Sequence, residues 1–433
     1  MKNKSLLIQS VISAGVRGLG AISVFLLTVT VTRTLGIAEA GIFFLGFGIA
    51  SFLCVVARVG LDNSILRFVG SLKLTDDRLK INNVMHKALL LVFIGSGLLA
   101  GLVYLGADII SRYLFDKMAL AESLRYLSPY ILFFSLSSIT AFGLQALSKT
   151  ISSVLILNIL VNILSVALLL LIPSLREYVP LLLSLSAGVT LLAALILWYS
   201  FVGVKTQRSK ADTVYKWSEI LKSCLPLWLV TAIGQLILWS GQFSLGIWSD
   251  TESVALFSAA QRTSMLTVFV LIAVNVIVAP KFARFYKQKD MKSLKRTAFA
   301  SVRLVTLFAT PVFVLMLVGA ETILMLFGDK YSGAANFLRI LAFGQFVNAL
   351  TGSVGYLLSM SGHERDLRNA ALLAGGTVIL LSVILVPVYG GLGAAISVAT
   401  AISLQNVLAL TYVKKRLNIN MLLAFSEWRY RNV

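Results

Sequence analysis

Charge is what this sequence has least of. Only 13% of its 433 residues are Asp, Glu, Lys or Arg, against 58% hydrophobic ones, and acids are scarcest, 18 against 38 basic residues. A soluble globular chain carries about twice that charged fraction, so a fold surrounded by water is excluded. Histidine and cysteine number two each. No HExxH or CxxC spacing occurs and His86 and His363 sit in separate loops, so the common zinc and redox motifs are absent. Cys54 and Cys224 fall in or beside apolar runs, and free thiols are expected. No Walker-type glycine loop is present, and the glycines of VYGGLGAA (388–395) follow no strand, which argues against a dinucleotide site. Neither a catalytic residue nor a metal site is expected, and the chain is read as no enzyme.

What the sequence has instead is long apolar runs, with a mean hydropathy of +0.90. Twelve are long enough to cross a hydrocarbon layer about 30 Å thick at about 1.5 Å per residue. Their approximate limits are 8–32, 40–66, 86–107, 126–147, 151–172, 179–202, 221–247, 254–279, 298–319, 334–360, 370–388 and 391–413. Runs such as VALLLLIP (166–173) are apolar on all sides, whereas a membrane β-barrel alternates in short segments. The expected fold class is an all-α polytopic membrane protein.

Basic loops are retained on the cytoplasmic side of a membrane. With the N-terminus inside, cytoplasmic segments hold 27 of the 38 Lys and Arg residues, the opposite face holds seven, and Arg17, Arg58, Arg262 and Arg303 lie within spans. Both termini are therefore expected in the cytoplasm. The net charge of +20 is spread over alternate loops, so topology and attraction to anionic headgroups explain it and no nucleic-acid partner is expected. The first apolar run is too long for a cleavable signal peptide and reads as an uncleaved span.

Laid on itself at an offset of about 213 residues, the chain repeats. Glu39 and Phe44 meet Glu252 and Phe257, FDK (115–117) meets GDK (328–330), LRYL (124–127) meets LRIL (338–341), and Pro173 meets Pro387. Two six-helix lobes follow, 1–205 and 217–433, joined by a polar cytoplasmic linker at 206–216. An even number of spans in each lobe makes the repeats parallel. Carriers built from such repeats bind cargo between the halves and expose it to each side in turn.

Three stretches carry a resemblance: TRTLGIAEAGIFFLGFG (32–48), LRILAFGQFVNALTGSVGYLLSMSG (338–362) and LVPVYGGLGAAISV (385–398). Together with the twelve spans they resemble the polysaccharide flippases of the multidrug/oligosaccharidyl-lipid/polysaccharide (MOP) superfamily, and most of all the Wzx-like O-antigen repeat-unit flippases. The resemblance implies a V-shaped pair of lobes around a cavity of alternating access, often with a cationic lining. It implies a cargo of undecaprenyl-pyrophosphate-linked glycan, moved from the cytoplasmic to the periplasmic leaflet of a bacterial inner membrane. It further implies contact with membrane lipids, a polysaccharide polymerase and a chain-length regulator as candidate partners, and H+ or Na+ coupling without a cofactor.

An ionised side chain at mid-bilayer costs at least about 2.5–3.5 kcal/mol, so it faces a wet cavity, a partner or the bundle interior. Arg17, flanked by Gly15, Gly18 and Gly20, lies about ten residues into its span. It is either a cavity cation for the pyrophosphate or an arginine satisfied by a neighbouring helix. Arg58 and Asp62 are four apart, so they are either a local ion pair or a unit in which Asp62 orients Arg58 or takes part in ion coupling. Arg262 stands in the polar belt SAAQRTSML (258–266) with Gln261. The resemblance places the first, second, seventh and eighth spans around the cavity, which makes Arg17, Arg58, Arg262, Gln235, Trp239 and Gln261 candidate substrate-binding residues. Gln235, Trp239 and Gln242 serve equally well as interhelical hydrogen-bonding partners. Arg303, near the cytoplasmic end of its span, has room to snorkel. Arg125 and Arg339 occupy equivalent repeat positions at outer span ends, which favours anchoring.

A diphosphate cargo calls for buried cations, and a cation-coupled multidrug exporter for buried carboxylates. Four span arginines against little mid-span acid favour the first. A glycosyltransferase or polymerase calls for a larger polar loop than 108–125. The topology has a direct test. In a background lacking Cys54 and Cys224, Asp250→Cys is expected to react with an impermeant maleimide on intact spheroplasts, and Lys289→Cys only after permeabilisation. The reverse pattern would invert the orientation.

Overall fold

In hydrocarbon no water is available to backbone N–H and C=O groups, so an apolar segment must pair them internally, and the helix does so within one run. The computed structural model describes the backbone of residues 2–72, 78–202, 217–421 and 423–426, and the side chains of 15, 16, 18–70, 72, 78–202, 228–275, 277–421, 423 and 424. The described residues contain helices and turns and no strand. In chain order the helices are α1 (Lys2–Thr34), α2 (Ile37–Ala57), α3 (Leu61–Leu72), α4 (Arg78–Ile109), α5 (Ala119–Ala146), α6 (Thr150–Val154), α7 (Val161–Leu171) and α8 (Val179–Val202). They continue with α9 (Trp217–Trp248), α10 (Thr251–Ser264), α11 (Phe269–Lys287), α12 (Met291–Val318), α13 (Ala320–Leu324), α14 (Ala335–Thr351), α15 (Val354–Met360), α16 (Glu364–Leu417) and α17 (Leu423–Ser426).

Ten stretches among the described residues are long and apolar enough to cross a membrane when the bent pair Asp329–Thr351 and Val354–Met360 is taken as one. Gly390 (φ 51°, ψ −126°) splits α16 into two helices at the expected VYGGLGAA turn. With α1 the twelve expected spans are accounted for.

Three spans expected to be continuous are broken. The second, read as 40–66, stops at Arg58 and resumes at Leu61, with Val59 (φ 46°) and Gly60 (φ 74°) both left-handed. That region is unfavourable for a β-branched residue, so surrounding packing holds Val59 there. The eighth passes through a 3-10 turn at Met265–Val268 between α10 and α11. The tenth bends by 45° at Gly352 (φ 68°). No proline marks any of these breaks.

The chain forms two compact units, one of residues 22–235 and the other of residues 1–21 with 236–433. The linker expected at 206–216 lies outside the described residues. In the 22–235 unit α5 packs against α2, α4 and α8 around Leu61, Ile65, Met85, Ile139, Leu144 and Trp198. Ser23 donates to Asn158 O at 2.7 Å, and Asn162 Nδ2 donates to Ser23 Oγ at 3.2 Å, joining α1 to the fifth span. In the other unit α14 packs against α12 and α16, and Phe282, Val302, Val305, Leu357 and Val413 belong to its core. Arg303 Nε donates to Ala424 O at 2.6 Å, so it fastens α17 to α12.

The sequence repeat recurs as paired side chains. Arg125 bridges to Asp108 at 2.5 Å in one unit, and Arg339 bridges to Glu321 at 3.5 Å in the other. Arg339 Nε also donates to Leu317 O at 3.0 Å, tying neighbouring helix ends together.

Small residues let membrane helices approach closely. A Cβ on Gly344 would lie 2.8 Å from Ala399 Cα, so the α14–α16 contact requires the glycine. Gly344→Ala is expected to destabilise the protein by about 1–3 kcal/mol, the range for overpacking. Gly376→Ala, with nothing within 4 Å of its Cβ position, should be neutral or mildly stabilising. Melting temperatures of the two variants in detergent check this.

Candidate functional site

Within the 22–235 unit the break between α2 and α3 gathers polar groups inside the helix bundle. Arg58 caps the end of α2 and is 7% exposed; Asp62 lies in the first turn of α3. Arg58 Nε donates to Asp62 Oδ1 at 2.9 Å and Oδ2 at 3.1 Å, and its Nη1 reaches Ser138 Oγ on α5 at 3.5 Å. The pair therefore forms across a helix break, not along one helical face as the four-residue spacing suggests. Ser135, one turn before Ser138, is fully buried. Cys54 is a buried free thiol beside this cluster, its Sγ 3.7 Å from Ile131 O; the Cys224 side chain lies outside the described residues. Sequence reasoning missed the two serines. Their signal is the run SLSSIT (135–140), which puts hydroxyls on successive turns of α5.

The other unit holds a second polar group of residues. Arg262, half-buried in the last turn of α10, places its guanidinium 5.1 Å from the Trp239 ring centroid on α9. Such a cation–π contact contributes about 0.5–2 kcal/mol, more as water is excluded, and it fixes the plane in which the N–H donors point. Beside it, Gln242 Nε2 donates to Gln261 Oε1 at 2.7 Å, and Gln261 Nε2 donates to Leu238 O at 2.7 Å. Both amides are buried, and Gln242 Oε1 has no partner. Gln261 thus joins α10 to α9. Gln235 is half-buried on α9 within the 22–235 unit. Arg17 belongs to α1, and its side chain lies outside the described residues.

A guanidinium held in a water-poor setting makes strong, planar, two-point hydrogen bonds to phosphate or carboxylate oxygens. Arg58 already has a carboxylate in that role. Arg262 has an aromatic face.

Residues 7–286 match the polysaccharide biosynthesis protein family, and residues 226–388 match the MatE family. The chain belongs to the polysaccharide biosynthesis protein family. Similar to this family member is the probable low-salt glycan biosynthesis flippase Agl15 of Haloferax volcanii, 22% identical over 55% of this chain and 51% of Agl15. The chain spans about half the length of the curated relatives it matches. Among solved structures, the lipid II flippase MurJ in an inward closed conformation superposes with a TM-score of 0.74 at 15% identity, over 97% of this chain and 93% of that one. A multidrug resistance MATE family transporter of the MOP superfamily, inward-facing, superposes with a TM-score of 0.72 at 16% identity, over 92% and 94%. This polysaccharide biosynthesis protein is a multi-pass, all-helical membrane protein of the MOP fold.

The buried ion pair differs from the exposed pair at Arg125 in what its loss leaves behind. Asp62→Ala strands the Arg58 charge inside the bundle and is expected to destabilise by about 3–5 kcal/mol. Asp108→Ala removes a pair whose side chains are 40% and 69% exposed and should cost about 1 kcal/mol or less. Equal losses of thermal stability in the two variants would contradict the assignment of Arg58 and Asp62 as a structural pair.

Proposed function

We propose that this chain is a flippase that carries a lipid-linked oligosaccharide between membrane leaflets by alternating access, and that it is a transporter and not an enzyme. The observation that carries this reading is the state of the charges within the spans. Asp62, the acid nearest mid-span, is paired with Arg58, and Arg262 brings a second guanidinium into the spans, stacked on Trp239. A site dominated by guanidinium stabilises a diphosphate and repels a lipophilic cation, because Coulomb interactions strengthen where water is scarce. Membership of the polysaccharide biosynthesis protein family supports a glycan cargo, as do the flippase names of Agl15 and MurJ.

The finer reading is an undecaprenyl-pyrophosphate-linked repeat unit of O-antigen or a related surface polysaccharide. It moves from the cytoplasmic to the periplasmic leaflet of a bacterial inner membrane, driven by a proton or sodium gradient. Arg17 joins Arg262 as a phosphate ligand in this scheme, and a polymerase and a chain-length regulator act downstream.

Reconstituted in liposomes, the protein is expected to move a fluorescent polyprenyl-diphosphate oligosaccharide between leaflets and to leave ethidium distribution unchanged. Arg262→Ala and Arg17→Ala should abolish glycan export in cells at matched protein levels. The Lys variants should retain part of it, since charge survives while two-point geometry is lost. Near-normal surface polysaccharide in both Ala variants would remove the arginines from the mechanism. Gradient-dependent ethidium export without lipid movement would replace the flippase with a multidrug exporter.

A further inference from the structure

A concave feature lies wholly within the 22–235 unit. A cavity of about 620 Å³ opens where the end of α1, the starts of α2 and α5 and the turn before α8 meet; its walls include Glu39, Glu122, Glu177, Arg176, Tyr126 and Tyr178. The four charged residues are exposed and Tyr178 is 38% exposed. The Tyr126 and Tyr178 rings meet edge to face at 6.0 Å. Ser123, also in the wall, is 5% exposed and its Oγ has no hydrogen-bond partner. It sits over Gly46, where a Cβ would lie 2.9 Å from that oxygen.

The chemistry of this wall selects its ligand. Three carboxylates against one guanidinium give a net negative cavity, which disfavours phosphate. Carboxylates only accept hydrogen bonds, so they call for a ligand rich in O–H or N–H donors. Tyrosine rings add apolar faces with polar tips, the surfaces on which a sugar ring packs its C–H groups. The volume falls within the roughly 300–1,000 Å³ of small-ligand pockets. Among the described residues no three His, Cys, Asp or Glu side chains are grouped to hold a metal ion.

We propose that this cavity binds the glycan end of the cargo, as a neutral or amine-bearing oligosaccharide. The proposal rests on the flippase reading for the source of the glycan.

The probe is the soluble oligosaccharide released by mild acid from the lipid-linked glycan of the producing cells, titrated into the full-length protein in detergent. Saturation-transfer NMR and calorimetry are expected to show binding that pyrophosphate does not compete. Tyr178→Ala and Glu122→Gln, both at exposed positions, should each weaken it about tenfold, while Tyr178→Trp retains it. Absence of binding to the wild type, equal affinity in the variants, or carboxylate-dependent displacement by ethidium would overturn the proposal. Movement of the lipid-linked glycan in liposomes without binding of the released glycan sinks the cavity assignment alone. Binding without movement sinks the flippase reading alone.

Discussion

The structure depends on one constraint: within hydrocarbon, each backbone and side-chain polar group must find its partner inside the protein. Most hydroxyls in the spans meet it by bonding back to their own helix, as Ser137 does to Phe133 O and Thr140 to Leu136 O, each at 2.8–2.9 Å. Where a helix breaks, the released groups need other partners, and the breaks are where polar side chains collect. Arg58, Asp62 and Ser138 gather at the α2–α3 break. Thr351 and Asn406 meet at 3.4 Å beside the bend at Gly352.

The same constraint sorts the arginines. Arg58 is paired with a carboxylate, Arg303 fastens a backbone carbonyl of α17, and Arg339 joins a carbonyl to an exposed acid. Each of these holds helices together. Arg262 rests on an indole face, a contact that steadies the guanidinium and ties α10 to α9.

Both units apply one plan with different side chains. Each breaks its second span, by a left-handed turn at Val59–Gly60 in one and by a 3-10 turn at Met265–Val268 in the other. Each ties its outer helix ends with an acid and an arginine 17 or 18 residues apart. The arginine near each break has a different partner, Asp62 for Arg58 and Trp239 for Arg262.

Hydropathy, charge asymmetry and the 213-residue offset were enough to determine an all-helical membrane protein of twelve spans in two repeats. These properties are sums over many residues, and the bilayer reads them without reference to packing. The equivalence of Arg125 and Arg339 was legible for the same reason, since the repeat aligns them. Only the tertiary structure decided where the spans break. No proline marks Val59 or Met265, and the polar residues beside them do not say that the helix breaks there. It also decided which donors meet which acceptors. Gln242 and Gln261 meet across consecutive helices, Arg58 and Ser138 and Tyr126 and Tyr178 across elements distant in the chain, and a linear pattern of apolar residues contains no record of which faces those elements turn to one another.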